Sequence, residues 1–345
     1  MKFLKFSAII LIAGFLVAGI STELRAQDQN YADAVSAFNK ALENAKANQF
    51  DQAINMYNQA IALAEDSDHE NAADIIKRTK NQLPSIYYQQ AVMQYKNFQK
   101  NKNMASLEEA LSSFQETAEI AGEYGNNTIQ QKASGIVTQL LYTKSIIEFK
   151  SQNFSAALAS LDQAIERNPN YAKAYYQKGI VIKNRDNESL EEALTMFDRA
   201  IEVGSKPAVN DNQIVRQAKN AARDELLYHA YQEMEDKNVR RSIELLNRAL
   251  NYDSQSADVY YRLAEAHNKR ANWQQAIEYA NKALELEAGG RMERAKIFFE
   301  LATALKAQGQ KEDACSAYKN AAYGSFKSPA EHQMEYELKC GSSTR

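Results

Sequence analysis

Small side chains recur along this chain at a fixed pair of intervals. Ala41, Ala53 and Ala60 stand twelve and then seven residues apart, and so do Ser145, Ala157 and Ala164; Ala230, Ser242 and Ala249; Ala264, Ala276 and Ala283; and Ala302, Ala314 and Ala321. Gly179, Ala193 and Ala200 repeat the pattern with two extra residues, and Ala91, Ala110 and Thr117 with seven. Antiparallel helices approach to about 8–10 Å only where the side chains at their crossing are short. The intervals therefore predict a run of helix pairs, each closed on small residues. Composition agrees: 12 Gly and 4 Pro in 345 residues leave too few turn residues for an antiparallel sheet protein.

Larger apolar residues fill fixed offsets around this register. Phe50, Phe154, Val239 and Trp273 stand three residues before the second small residue; Tyr57, Phe114, Leu161, Phe197, Leu246 and Tyr318 stand four after it. Pro169 follows the third copy where a helix must stop. The arrangement resembles the tetratricopeptide repeat (TPR), a helix–turn–helix unit of about 34 residues. The resemblance implies an all-α fold, a right-handed α-α superhelix (TPR solenoid), with about seven repeats at 34–67, 84–124, 138–171, 172–207, 223–256, 257–290 and 295–328. The last copy is degenerate, with Lys311 in place of an apolar residue. Segments headed by Ile75, Ile129 and Ile214 each begin twelve residues ahead of Tyr87, Leu141 and Leu226, and predict first helices lengthened backwards, with Pro84 a kink or a first-turn residue. Residues 329–340 read as one amphipathic capping helix, which a solenoid needs over its last apolar face, and 341–345 as a flexible tail.

The N-terminus reads as an address. Lys2 and Lys5 precede an unbroken apolar run from Ala8 to Ile20, and polar character returns up to Ala26. That is the pattern of a secretory signal peptide over residues 1–26, with retention as an uncleaved anchor the alternative, since Leu24 stands where a small residue is preferred. The expected location is the periplasm or the cell exterior, including in association with the outer membrane. Two cysteines, Cys315 and Cys340, make an even count, and in an exported protein that favours a disulfide over two buried thiols.

Motifs that carry catalysis do not emerge. His69, His229, His267 and His332 include no pair at ligand spacing, and neither a phosphate-binding glycine loop nor a dinucleotide fingerprint occurs. Ser316 and Lys319 form an isolated SxxK inside a repeat helix, without the companion motifs that chemistry needs. Glu108–Glu109 and Glu191–Glu192 sit at helix starts, where negative charge suits the helix dipole. The expectation is a chain with no catalytic residues, no metal and no cofactor. A formal net charge of −3 lacks the basic footprint of a nucleic-acid binder.

In the family this chain resembles, the fifth position of each first helix points into the concave groove. That implies a partner-binding surface of Phe38, Tyr88, Tyr142, Tyr176, Leu227, Tyr261 and Phe299, continued by Leu42, Val92, Ile146, Ile180 and Tyr231, and beyond them Tyr95, Phe149 and Met234. Aromatic rings offer large contact area at low rotamer cost, though the same rings also serve plain interhelix packing. Members that clamp chaperone tails carry Lys at the fifth position and Asn at the ninth; these positions are aromatic or aliphatic here, which argues against such a clamp. The resemblance implies a protein–protein adaptor or scaffold in the bacterial envelope with a protein or peptide partner. The alternative is a capture module for peptide, peptidoglycan or glycan.

Overall fold

The computed structural model describes residues 29–185 and 189–341. The signal-peptide reading, the turn at 186–188 and the tail beyond 341 lie outside them. Fifteen helices and no strands occur among the described residues. They divide into two compact units, one ending at Pro169 and the other starting at Asn170.

The first unit holds three helix pairs. Helix α1 covers residues 29–46 and pairs with α2 (Phe50–Glu65). It is followed by α3 (Ala72–Asn101) with α4 (Met104–Glu123) and α5 (Asn127–Lys150) with α6 (Phe154–Arg167). The second unit pairs α7 (Ala172–Arg185) with α8 (Leu190–Gly204) and α9 (Asn212–Glu235) with α10 (Val239–Tyr252). Its remaining pairs are α11 (Ala257–Lys269) with α12 (Trp273–Leu286) and α13 (Arg291–Ala307) with α14 (Lys311–Ala321). Within each unit every helix packs on the next, and neighbouring first helices also touch: α3 on α5, α7 on α9, and α11 on α13.

Every small residue of the register is buried, from Ala41, Ala53 and Ala60 to Ala302, Ala314 and Ala321. Gly179 shows why size matters. A Cβ built there would lie 2.6 Å from Cε1 of Phe197, so only glycine lets α7 approach the ring on α8. The large residues four after the second small one (Tyr57, Phe114, Leu161, Phe197, Leu246 and Tyr318) are all buried, each filling the space beside its pair's small contact.

Asparagine and aspartate start several helices. Asn103, Asn126, Asn153 and Asp211 each accept a hydrogen bond from the backbone N–H three residues on, satisfying a donor that the first turn leaves open. The turn inside each pair repeats a backbone device. A left-handed residue follows the first helix, namely Asn48, Lys102, Gln152, Lys237, Ala271 and Gly309. In most of these turns the next N–H reaches back five residues, as from Asn153 to Glu148, Asn238 to Glu233 and Asn272 to His267.

Helices α3, α5 and α9 begin at Ala72, Asn127 and Asn212, so the Ile-headed segments are their opening turns. Pro84 lies in the interior of α3, buried, and is no first-turn residue. The closing segment also departs from the single helix read at 329–340. It begins with a short 3-10 turn (Gly324–Phe326), runs as α15 (Lys327–His332) and widens into a π turn (Gln333–Glu337). Cys340 ends it in a disulfide to Cys315 of α14, with a Cα–Cα separation of 5.8 Å. The widened turn lets Met334 and Leu338 reach the apolar face of α13 and α14 while Cys340 meets its partner.

Candidate functional site

Phe38, Tyr88 and Tyr142 lie in the first unit, and Tyr176, Leu227, Tyr231, Tyr261 and Phe299 in the second. In the first unit Phe38, Tyr88 and Tyr142 are half-buried. Phe38 meets Tyr57 edge-on with ring centroids 5.6 Å apart, and Tyr88 meets Phe114 at 5.8 Å. Fifth-position rings thus lean on the large residue of their own second helix, so packing claims one side of each. The other side of Tyr88 lines an open pocket of about 510 Å³ with Asn48, Phe50, Gln89, Val92, Met93 and Lys96. Met93 is 42% exposed.

In the second unit Tyr176 packs on Phe197 at 6.1 Å, and Phe299 packs on Tyr318 at 5.5 Å and on Phe326 at 5.3 Å. Leu227, Tyr231 and Tyr261 come together in a pocket of about 420 Å³, completed by Tyr228, Asp258, Arg262, Lys296 and Phe326. Tyr228 and Tyr231 are 45% and 40% exposed. Tyr261 is only 8% exposed, with the Arg262 guanidinium 5.1 Å and the Lys296 ammonium 4.9 Å from its ring centroid, so much of its ring is covered by cations of its own chain. Arg262 also stands 5.1 Å from the ring of Tyr231.

These cations are themselves neutralised. Arg262 bonds Glu265 at 2.7 Å and Lys296 bonds Asp258 at 2.6 Å. Nearby, Lys183 bonds Glu225 at 3.0 Å and Lys306 reaches Glu337 at 3.3 Å. Burial, opposed by the hydrogen bond from Asn268 and reinforced by the Glu265 charge, pushes the Glu300 carboxyl up to about 7. Asn268 donates to both the backbone oxygen of Glu300, at 2.9 Å, and its Oε2, at 2.8 Å. Burial likewise raises the Tyr261 hydroxyl well above its ordinary range.

Arg262, Lys296, Asp258 and Phe326 escaped the sequence reading. Arg262 and Lys296 occupy positions next to and three before the fifth, where polar residues read as solvated, and the signal that could have found them is a cation one helix away from an aromatic. Among the described residues no group of three His, Cys, Asp or Glu could hold a metal ion. None of the described helices is long and apolar enough to cross a membrane.

Residues 142–208 and 229–291 match the family model described as tetratricopeptide repeat. No curated protein matches the sequence. Among solved structures, the C-terminal part of a TPR repeat-containing protein from Cytophaga hutchinsonii is similar at 17% identity and TM-score 0.41, over 85% of this chain and 98% of that one. MamA from Desulfovibrio magneticus, from residue 41 to its end, is similar at 18% identity and TM-score 0.34, over 58% and 97%. YrrB, described as a TPR protein with an unusual peptide-binding site, is similar at 16% identity and TM-score 0.35, over 57% and 91%. With its small-residue register buried in successive helix pairs and that family model matched twice, the chain has the all-α solenoid architecture of tetratricopeptide repeats, and residues 142–208 and 229–291 are such repeats.

Proposed function

We propose that the chain is a non-catalytic protein–protein interaction scaffold that receives its partner on the first-helix faces, and that it works in the bacterial envelope after export. One observation carries the reading. In each unit, taken separately, a fifth-position residue lines an open pocket beside exposed apolar side chains, Met93 with Tyr88 in the first and Tyr228 and Tyr231 with Leu227 in the second. Apolar and aromatic surface left uncovered on a repeat scaffold is the usual anchor for a peptide or helix. The Cys315–Cys340 disulfide supports an oxidising compartment.

A photo-crosslinking residue placed at Met93 or at Tyr231 tests the reading. Irradiation in envelope extract should give a discrete adduct with one protein from each position, and none from Glu285 on α12. Adducts from Glu285 alone, or none at all alongside saturable binding of a muropeptide, would reject the scaffold. The mass of the exported chain, short by residues 1–26, tests the address.

A further inference from the structure

The three first helices of the first unit carry the same triad. Phe38, Leu42 and Lys46 lie on α1, Tyr88, Val92 and Lys96 on α3, and Tyr142, Ile146 and Lys150 on α5. Residues at i, i+4 and i+8 fall within about 80° of one another around a helix, so each triad runs down one face. The helices are neighbours: Phe38 and Leu42 share an apolar cluster with Leu83, Ile86 and Tyr87 of α3, and α3 touches α5. The pocket that Lys96 lines with Tyr88 and Val92 shows the lysine on the same face as the apolar pair.

All three lysines are exposed, and none takes part in a hydrogen bond or ion pair among the described residues. Nor does this face supply an acid beside the lysines. Over the span of the triads (35–46, 85–96 and 139–150), the other residues in the arc of about 120° that holds them are Val35, Asn39 and Ala45; Ser85, Gln89 and Tyr95; and Gln139, Thr143 and Phe149, and Asp74, nearer the start of α3, is bonded to Arg78. Glu43, about 60° further round α1, makes no ion pair with Lys46. An apolar strip edged by three ammonium groups without counter-charges attracts carboxylates and repels cations.

We propose that this face of the first unit docks an acidic amphipathic segment of a partner protein, its apolar side chains on the aromatic–aliphatic strip and its interior carboxylates on Lys46, Lys96 and Lys150. The proposal rests on the reading of the first-helix faces as the docking surface and adds the chemistry of the occupant. One lysine per repeat calls for acids distributed along the segment, not for a single terminal carboxylate.

The test uses the full exported chain and three fluorescein-labelled peptides with leucines at helical spacing. Their remaining positions are glutamate in one, glutamine in the second and lysine in the third. Anisotropy should show the glutamate peptide binding about tenfold tighter than the glutamine peptide, with the lysine peptide weakest and the preference shrinking as salt rises from about 0.05 to about 0.5 M. Changing the three exposed residues together (Lys46→Gln, Lys96→Gln, Lys150→Gln) should erase the glutamate preference, bringing the glutamate peptide down to the affinity of the glutamine peptide. Equal binding of the glutamate and glutamine peptides, or a preference that survives the triple change, overturns the acidic occupant while the docking surface stands. Saturation by neither peptide overturns both. Binding to phosphatidylserine vesicles that the triple variant loses, without peptide binding, overturns the proposal in favour of a lipid surface.

Discussion

Eight residues beyond each fifth-position side chain the first unit places a lysine, whereas the second unit places Asn184, Glu235, Lys269 and Ala307. Of these only Lys269 is a cation, exposed and without an ion pair among the described residues, and the cations that line or flank the second unit's pocket are engaged: Arg262 with Glu265 and two tyrosine rings, Lys296 with Asp258 and Tyr261, and elsewhere in the unit Lys183 with Glu225. One register thus yields two kinds of surface. The first unit keeps its apolar strip uncovered and its charge unsatisfied, which suits capture. The second engages the cations around its pocket with its own acids and rings, and leaves Tyr228, Tyr231 and, in the closing turn, Tyr336 as its exposed aromatics. A repeat fold permits this because each repeat's packing depends on buried small and large residues, leaving the groove-side positions free to diverge.

The disulfide separates the units most sharply. Cys315 and Cys340 close a loop with a sequence separation of 25, which stabilises by about 3 kcal/mol in the chain-entropy model. Reduction, or Cys315→Ser with Cys340→Ser, should therefore loosen α13 through the closing π turn and leave the first unit untouched. Hydrogen exchange followed by mass spectrometry reads this directly. Equal loss of protection in peptides from α2 to α6 would erase the contrast. A smaller asymmetry follows from Glu300. Its carboxyl rises from an ordinary value of 4.5 to about 7 in the folded chain, so the folded state holds the proton more tightly than the unfolded one. Stability from this group is full below about pH 4.5 and is lost as the pH climbs through about 7, amounting to about 2 kcal/mol once residual solvent access is discounted. Glu300→Gln should flatten that slope in urea titrations between pH 5 and pH 8, as judged by exchange in α11 and α13. A slope that persists in the variant would reassign the effect.

The pairing of helices was legible in the sequence because it depends on residue size at fixed intervals, and Ala264, Ala283 and Gly179 do lie where size is decisive. The lengthened helices were legible too, since α3, α5 and α9 carry their apolar pattern back to Ile75, Ile129 and Ile214. The turns were not. Five of the six left-handed turn residues are Asn, Lys, Gln or Ala, so the glycine that would announce such a turn occurs only at Gly309. Exposure was legible only in part, because the register gives the fifth-position side chains, but which of them stay exposed depends on neighbours in another helix. Tyr261 is closed by Lys296, which is 35 positions away in sequence and one helix away in space.

Removing one charge from each face sharpens the contrast further. Arg262→Met strips Glu265 of its partner and uncovers two tyrosine rings, and should cost about 1 kcal/mol in the urea midpoint. It should also push the Glu300 carboxyl higher, since Arg262 is among the charges that hold it down. Lys96→Met breaks no pair and covers more apolar surface, so its effect should stay within about 0.5 kcal/mol. Similar costs in the two variants would mean that the first unit's lysines are engaged after all, and the capture surface would lose its basis.

The smallest effect concerns a feature that the units share. Gln152 in the first unit and Ala271 in the second both hold a left-handed backbone, at φ of 59° and 58°, directly after a first helix. An L side chain there costs about 1–2 kcal/mol, and glycine relieves it while giving back part through its freer unfolded chain. Gln152→Gly and Ala271→Gly should therefore each stabilise by about 0.5 kcal/mol, and by the same amount within error in urea denaturation. Equal gains locate the divergence of the units on their first-helix faces, because the backbone that joins each pair is then energetically interchangeable. A gain in one unit with a loss in the other would place the difference in the turns themselves, and the contrast in surface charge would then be a consequence of how each pair is closed.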